Sequence, residues 1–379
     1  MRFFKITAVI WCLFFALFVP VDAKTVDELY KEQLQSSGSE SLLEAVPEET
    51  KELLSMLNIT SLEKDSLSSV DLPTIWELLL NLLSLVAPKP LAACGTVFGI
   101  TVLYAWVDGL KNTLHTEETS TVFAVVCSLS SCGAVMFPIS ECIKNVCGAM
   151  DSVSVFMTSF APVYAGVLLS GGSAVTALSF QSIVLYAAEF LTYFSGNVIL
   201  PLLTVSLSLG LTGSLTPEIN LGKVGDWVGK VATWLLTLGM FLFAGLLSIQ
   251  SLTGSAVDRL GDRIMKFSIS TFVPVVGSSL SEAFSTIRGC LGLLRSTLGG
   301  FGIITSLLIV LPPLLSCFVW QLSLSLCNVG AEMFGLSALS NVLKSAHGVT
   351  KCLVGLLAAS GVLLVISVTV VTVATGGKT

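Results

Sequence analysis

Residues 154–166 read SVFMTSFAPVYAG, and residues 266–277 read KFSISTFVPVVG. Phe160, Pro162 and Val163 recur as Phe272, Pro274 and Val275, 112 residues further on, and Gly166 and Gly277 close the two phrases. A proline inside a helix removes one backbone donor and clashes with the carbonyl four residues back. In hydrocarbon, backbone freed in this way is tolerated only against protein or a wet cavity. The two phrases therefore mark segments that line a path or an interface, as proline-broken or re-entrant pieces of a membrane bundle. A kink filled by neighbouring helices is the simpler alternative.

The echo extends outward. ISECIKNVCGAMDSV (139–153) and TGSAVDRLGDRIMKF (253–267) are amphipathic segments just before each phrase. Apolar runs precede both, at 121–138 and 231–252. Pro201 in VILPLLTVSL and Pro313 in IVLPPLLSCF share the same offset of 112. The spacing predicts repeat 1 over about 121–212 and repeat 2 over about 231–327, with a partial third copy at 338–375. Repeats in multi-span proteins imply two halves packed about a pseudo-symmetry axis.

Composition sets the solvent. Hydrophobic residues make up 53% of the 379 and charged residues only 12%, about half the charged share of a soluble domain. Mean hydropathy is +0.88. The bilayer is the medium that can cover so much apolar surface. The fold class read from this is all-α, a polytopic membrane helix bundle over 91–375. Apolar runs at 91–107, 121–138, 155–170, 173–195, 197–212, 231–252, 301–327 and 352–375 predict about seven spans. Gly95 and Gly99 form a GxxxG face in the first run, a pattern that allows close helix contact.

The N-terminus reads differently. Residues 1–23 have the positive end, apolar centre and small-residue close of a signal peptide; an uncleaved anchor is the alternative. Residues 24–72 form an acidic extracytoplasmic segment of short helices and linkers. Residues 73–87 form an interfacial amphipathic helix, with Trp76 at headgroup level and Glu77, Asn81 and Ser84 as its polar stripe. The positive-inside rule places Arg259, Arg263, Lys266, Arg288 and Arg295 on the cytoplasmic side. Counting spans from an external residue 24 places them opposite.

Few residues point to chemistry. Glu189 lies deep in IVLYAAEFLTYF, and a charged residue at the centre of a membrane helix costs about 2.5–3.5 kcal/mol on insertion scales. It faces protein or water, as a hydrogen-bonded helix contact or a proton-coupling site. Glu282 in SSLSEAF is a weaker candidate of the same kind. The ten cysteines have no CxxC spacing and read as small apolar fillers. His115 and His347 are isolated, so no metal is expected. HExxH and GxSxG are missing, TGGKT departs from a phosphate loop, and no basic patch serves a nucleic acid. Neither an enzyme nor a cofactor is expected.

KFSISTFVPVVGSSLSEAF, FMTSFAPVYAGVLLSGGSAV and WLLTLGMFLFAGLLSIQSL resemble the stage III sporulation protein AE family of endospore-forming bacteria. The resemblance implies a multi-pass protein of the mother-cell membrane around the forespore. It implies partners among other stage III sporulation membrane proteins, a secretion-type ATPase and ring-forming subunits. It implies a channel across the intermembrane space that supports forespore development, with a permease-like or export-gate-like role for this subunit. A free-standing secondary transporter, with Glu189 coupling a proton, is the alternative.

Overall fold

The computed structural model describes residues 26–59, 62, 71–114, 117–215, 221–272 and 277–376, with side chains over 110–125 and 250–288 and at scattered other positions outside the description. The signal-peptide assignment to 1–23 falls outside it. All regular elements among the described residues are helical: α1 Val26–Ser36, α2 Glu40–Ala45, α3 Glu48–Met56, α4 Leu72–Val86, α5 Pro88–Leu114 and α6 Glu117–Ser170. Then follow α7 Ala174–Phe194, a π-turn Ser195–Ile199, α8 Leu200–Leu215, α9 Leu221–Phe272, α10 Gly277–Met333 and α11 Ser337–Gly376.

Among the described residues, five stretches are long and apolar enough to cross a membrane: Cys132–Ser170, Ala174–Gly213, Leu221–Leu246, Gly289–Met333 and Leu339–Thr369. The pair Pro73–Val86 and Pro88–Trp106, bent by 44°, raises this to six. About seven were expected, because breaks in hydropathy were counted as breaks in the chain. The runs 121–138 and 155–170 instead belong to one helix, and α7, the π-turn and α8 form another. At 1.5 Å per residue, a helix of 40 residues is about 60 Å long, twice the hydrocarbon thickness. These helices reach well beyond a bilayer core.

The prolines do not act alike. α6 runs unbroken through Pro162, where the sequence predicts a break. Pro201 is accommodated by the π-turn before it, in which the Leu200 N–H donates to the Ser195 carbonyl. The widened turn shifts the hydrogen-bond register one residue ahead of the proline, as π-bulges do. Pro312 and Pro313 lie inside α10. Pro274 lies outside the described residues, between the end of α9 at Phe272 and the start of α10 at Gly277. An internal repeat is not confirmed: Pro162 is mid-helix, whereas α9 ends two residues before Pro274.

The core forms where α6 crosses α10 antiparallel. Phe156 stacks on Phe160 at 5.7 Å, and Phe160 on Tyr164 at 5.3 Å. Phe301 meets Phe156 edge-on at 6.4 Å, and Phe180 of α7 meets Tyr164 at 5.1 Å. The Phe160 ring rests on Gly302, leaving no room for a Cβ there. The Tyr164 hydroxyl shares a 2.8 Å hydrogen bond with Thr372 of α11. α8 and α9 approach as closely, for the Ser206 hydroxyl donates to the Gly225 carbonyl at 2.6 Å.

Both long hairpins turn on a glycine. At the end of α6, Gly172 has φ +81°, the Ser173 N–H donates to Leu168 O and the Gly172 N–H to Leu169 O. At the end of α10, Gly335 has φ +73°, with Leu336 N–H to Ala331 O and Gly335 N–H to Glu332 O. This double closure satisfies the last carbonyls of a helix and needs a left-handed residue.

Two sequence expectations change. The described part of 24–72 packs: Leu42, Val46, Leu53, Leu54, Leu57, Ile59 and Leu62 are buried, and the Tyr30 hydroxyl donates to Leu62 O at 3.1 Å. Their leucines have bundle surface to bury against, as α1 and α3 contact α10 and α2 contacts α6. The Gly95–Gly99 face of α5 instead points outward; Cys94, Val97 and Thr101 make the inner face. In α4 the stripe of Glu77, Asn81 and Ser84 is exposed, as read, while Leu78 and Leu82 pack inward.

The cysteines also do more than fill space. Cys94 Sγ lies 3.1 Å from Cys327 Sγ, and Cys142 hydrogen-bonds to Cys317. Both pairs fasten a helix to α10.

Two measurements check this packing. Gly302→Ala drives a methyl into the Phe160 ring, and overpacking of this kind costs about 1–3 kcal/mol. Its thermal midpoint in detergent should fall, while Gly289→Ala, with open space around it, should stay at the parent value. Mild copper–phenanthroline oxidation should link Cys94 to Cys327, read by peptide mass spectrometry without reduction.

Candidate functional site

Membrane helices that face lipid are apolar on that side. Over 231–246 α9 exposes Trp234, Leu238, Phe241, Leu242 and Leu246, and its two exposed hydroxyls, Thr233 and Thr237, donate to carbonyls of their own helix. The long α7–α8 helix departs further, with a carboxylate and an amide among its exposed groups. Its exposed positions include Ser182, Tyr186, Glu189, Tyr193, Asn197, Pro201, Thr204, Ser208 and Thr212. Their spacings of three and four residues keep them on one helix face. Tyr186 is 73% exposed and Tyr193 66%. Hydroxyls along this face turn back on their own helix: Ser182 donates to Leu178 O at 2.9 Å and Thr204 to Leu200 O at 2.9 Å. Asn197 likewise donates to Tyr193 O at 3.1 Å. These bonds leave the acceptor capacity of the side chains pointing outward. Glu189 has no hydrogen bond or ion pair among the described residues.

The neighbouring helix α6 has a related face. Lys144, Gly148, Asp151, Val155, Thr158, Pro162, Gly166 and Ser170 are exposed, again three and four residues apart. α6 and α7 are antiparallel partners, with Phe180 against Tyr164 and the Thr192 hydroxyl donating to Met150 O at 3.4 Å. The two faces therefore lie side by side.

The residues singled out in the sequence separate accordingly. Pro162 and Gly166 lie on the exposed α6 face and Glu189 on the exposed α7 face. Phe160, only two residues from Pro162, points the other way into the core, fully buried. Pro274 is outside the described residues, as are the side chains of Phe272, Gly277 and Glu282. Tyr186, Tyr193 and Asn197 were not singled out, and Asp151 was read only within the amphipathic segment 139–153. The helical spacing of the first three with Glu189 was the available signal, hidden because each is a single polar residue in an apolar run.

Arg295 is a second departure. The sequence offers it as a marker of membrane side, yet it is only 8% exposed. Its Nη2 donates to Leu168 O at 3.2 Å, the carbonyl that also accepts from Ser173 N–H. The guanidinium lies where a side chain on Gly171 would have to sit. A cation at the C-terminal end of α6 also meets the negative end of the helix dipole. Arg295 fixes the α6–α7 turn to α10, and that turn sets the register of the two polar faces.

A sequence profile of the stage III sporulation protein AE family matches residues 57–375. The chain belongs to that family. It is similar to stage III sporulation protein AE of Bacillus subtilis (strain 168), with 23% identity over 212 residues. That match covers 55% of this chain and 52% of the relative, so it spans about half the length of each. No solved structure matches. The resemblance read from the proline phrases thus holds at the level of the family.

Because Glu189 has no polar partner among the described residues, Glu189→Gln should leave the thermal midpoint of the purified protein within the scatter of ordinary surface substitutions, about 0.5 kcal/mol. A clear loss of stability would make Glu189 a structural residue.

Proposed function

We propose that this chain is an integral membrane core subunit of the channel or secretion-like complex that joins mother cell and forespore, with a permease-like or export-gate-like role and no enzymatic activity of its own. One observation carries the reading. A member of a stage III sporulation family presents a mostly polar face from Ser182 to Thr212, interrupted by Phe190, Pro201 and Val205, on the outside of a membrane-length helix. An intramembrane carboxylate marks a pathway or a contact by default. Such a face serves a subunit that works in an assembly. The proposed partners are other stage III sporulation membrane proteins, with a secretion-type ATPase and ring-forming subunits supplying energy and enclosure. The proposed location is the mother-cell membrane around the forespore, with the acidic α1–α3 cap in the intermembrane space.

Glu189 also supports a second reading, a secondary transporter in which its carboxylate carries a proton. The two diverge on purification from sporulating cells in mild detergent. The complex reading expects co-isolation with ring proteins and the ATPase, and loss of sporulation on truncating Glu189 to Ala. A free-standing chain that moves solute into liposomes down a proton gradient would overturn it in favour of the transporter.

A further inference from the structure

We infer that the α6–α7 face is a docking surface for a second copy of this chain, related by a two-fold axis along the membrane normal. The inference rests on the membrane-subunit reading above, but not on the identity of the other sporulation partners. Three observations carry it.

First, the face cannot be left to lipid. Asp151 and Tyr193 lie close to the middle of the spans Cys132–Ser170 and Ala174–Gly213, with Glu189 one turn from Tyr193. Protein or enclosed water must cover these groups.

Second, the geometry is self-complementary. Within one chain, Phe180 is level with Tyr164 and Thr192 with Met150. The same register sets Leu178 level with Ala165, Ser182 with Ala161, Glu189 with Ser154 and Tyr193 with Met150. A two-fold axis along the normal keeps every height and sets α7 of one copy opposite α6 of the other. Two of the projecting side chains of one face, Leu178 and Tyr193, then meet Gly166 and Gly148 of the other, and a third, Tyr186, comes level with Thr158. Bulk faces a small residue at the first two levels and a hydroxyl at the third. A closed two-fold contact uses the same patch twice.

Third, donors and acceptors match. The Tyr193 hydroxyl of one copy comes level with the Asp151 carboxylate of the other. Glu189 comes level with Ser154 and, one turn away, Thr158. Each acid is therefore offered hydroxyls rather than a second acid. Small residues at such a seam let the backbones approach, as membrane helix pairs require.

Co-expression of two differently tagged full-length chains tests the seam in native membranes. One copy carries Tyr193→Cys and the other Gly148→Cys; a second set carries Leu178→Cys and Gly166→Cys. After copper–phenanthroline treatment, one tag is captured and the other is quantified without reduction. Both matched sets should link at least tenfold more than the mismatched set Tyr193→Cys with Gly166→Cys, whose partner position is about 27 Å further along α6. They should also exceed Phe241→Cys with Gly148→Cys and the unsubstituted chains. Native mass measurement of the unsubstituted protein in detergent provides the second arm, with a dimer expected. Equal linking of matched and mismatched sets, a strictly monomeric mass, or linking of Tyr193→Cys to a different subunit overturns the proposal. Loss of the ATPase and ring proteins from the preparation, with the matched links kept, would count against the channel-complex reading alone.

Discussion

The packing of an aromatic ladder on glycines holds this structure in register. Phe156, Phe160 and Tyr164 recur every four residues on α6, and the glycines at 299 and 302 on α10 let the ladder come close. In lipid there is no hydrophobic drive between helices, so dispersion contacts and a few buried hydrogen bonds must do the work. The ladder provides the first. Tyr164 with Thr372, and Arg295 with Leu168, provide the second and draw in α11 and the α6–α7 turn. α7 inherits its height and rotation from that turn.

From this follows the most informative contrast on the surface. α9 exposes Trp234, Phe241 and Leu246, with only the self-bonded hydroxyls of Thr233 and Thr237 beside them, which suits hydrocarbon. α7 and α8 expose Glu189 and Asn197 with more hydroxyls over the same kind of length, which does not. Both are helices of one bundle, so the difference is not one of composition alone. We read it as separating the sides that meet lipid from those that meet protein or water. The seam with a second copy gives the polar side a covering that the chain itself supplies, and places Pro162 and Gly166 within it.

Much of the fold was legible in the sequence. High mean hydropathy and scarce charge require a membrane bundle, and period-3.6 polar stripes required helices. The proline phrases carried the family resemblance. Span number was less legible, because hydropathy dips at Ser195-Gly196 or within 139–153 look like chain breaks. The backbone absorbs the first with a π-turn and runs straight through the second. The packed cap of α1–α3 was missed because short acidic helices reveal their buried leucines only once a surface exists to receive them. The site was half visible: Glu189, Pro162 and Gly166 could be named from sequence, but Phe160 was grouped with Pro162 although it faces the core.

The sequence by itself determined solvent, class and family, since these depend on residue types and their local spacing. From the sequence alone Glu189 is expected to be shielded from lipid, because burying a carboxylate in hydrocarbon is costly wherever it occurs. Only the tertiary structure decided which side of each helix is shielded by the chain and which is left for a partner. Helical spacing fixes which residues share a face, but rotation about the helix axis is set by long-range contacts. Here those contacts are the α6–α10 ladder and the Arg295 anchor, more than 120 residues apart in the chain.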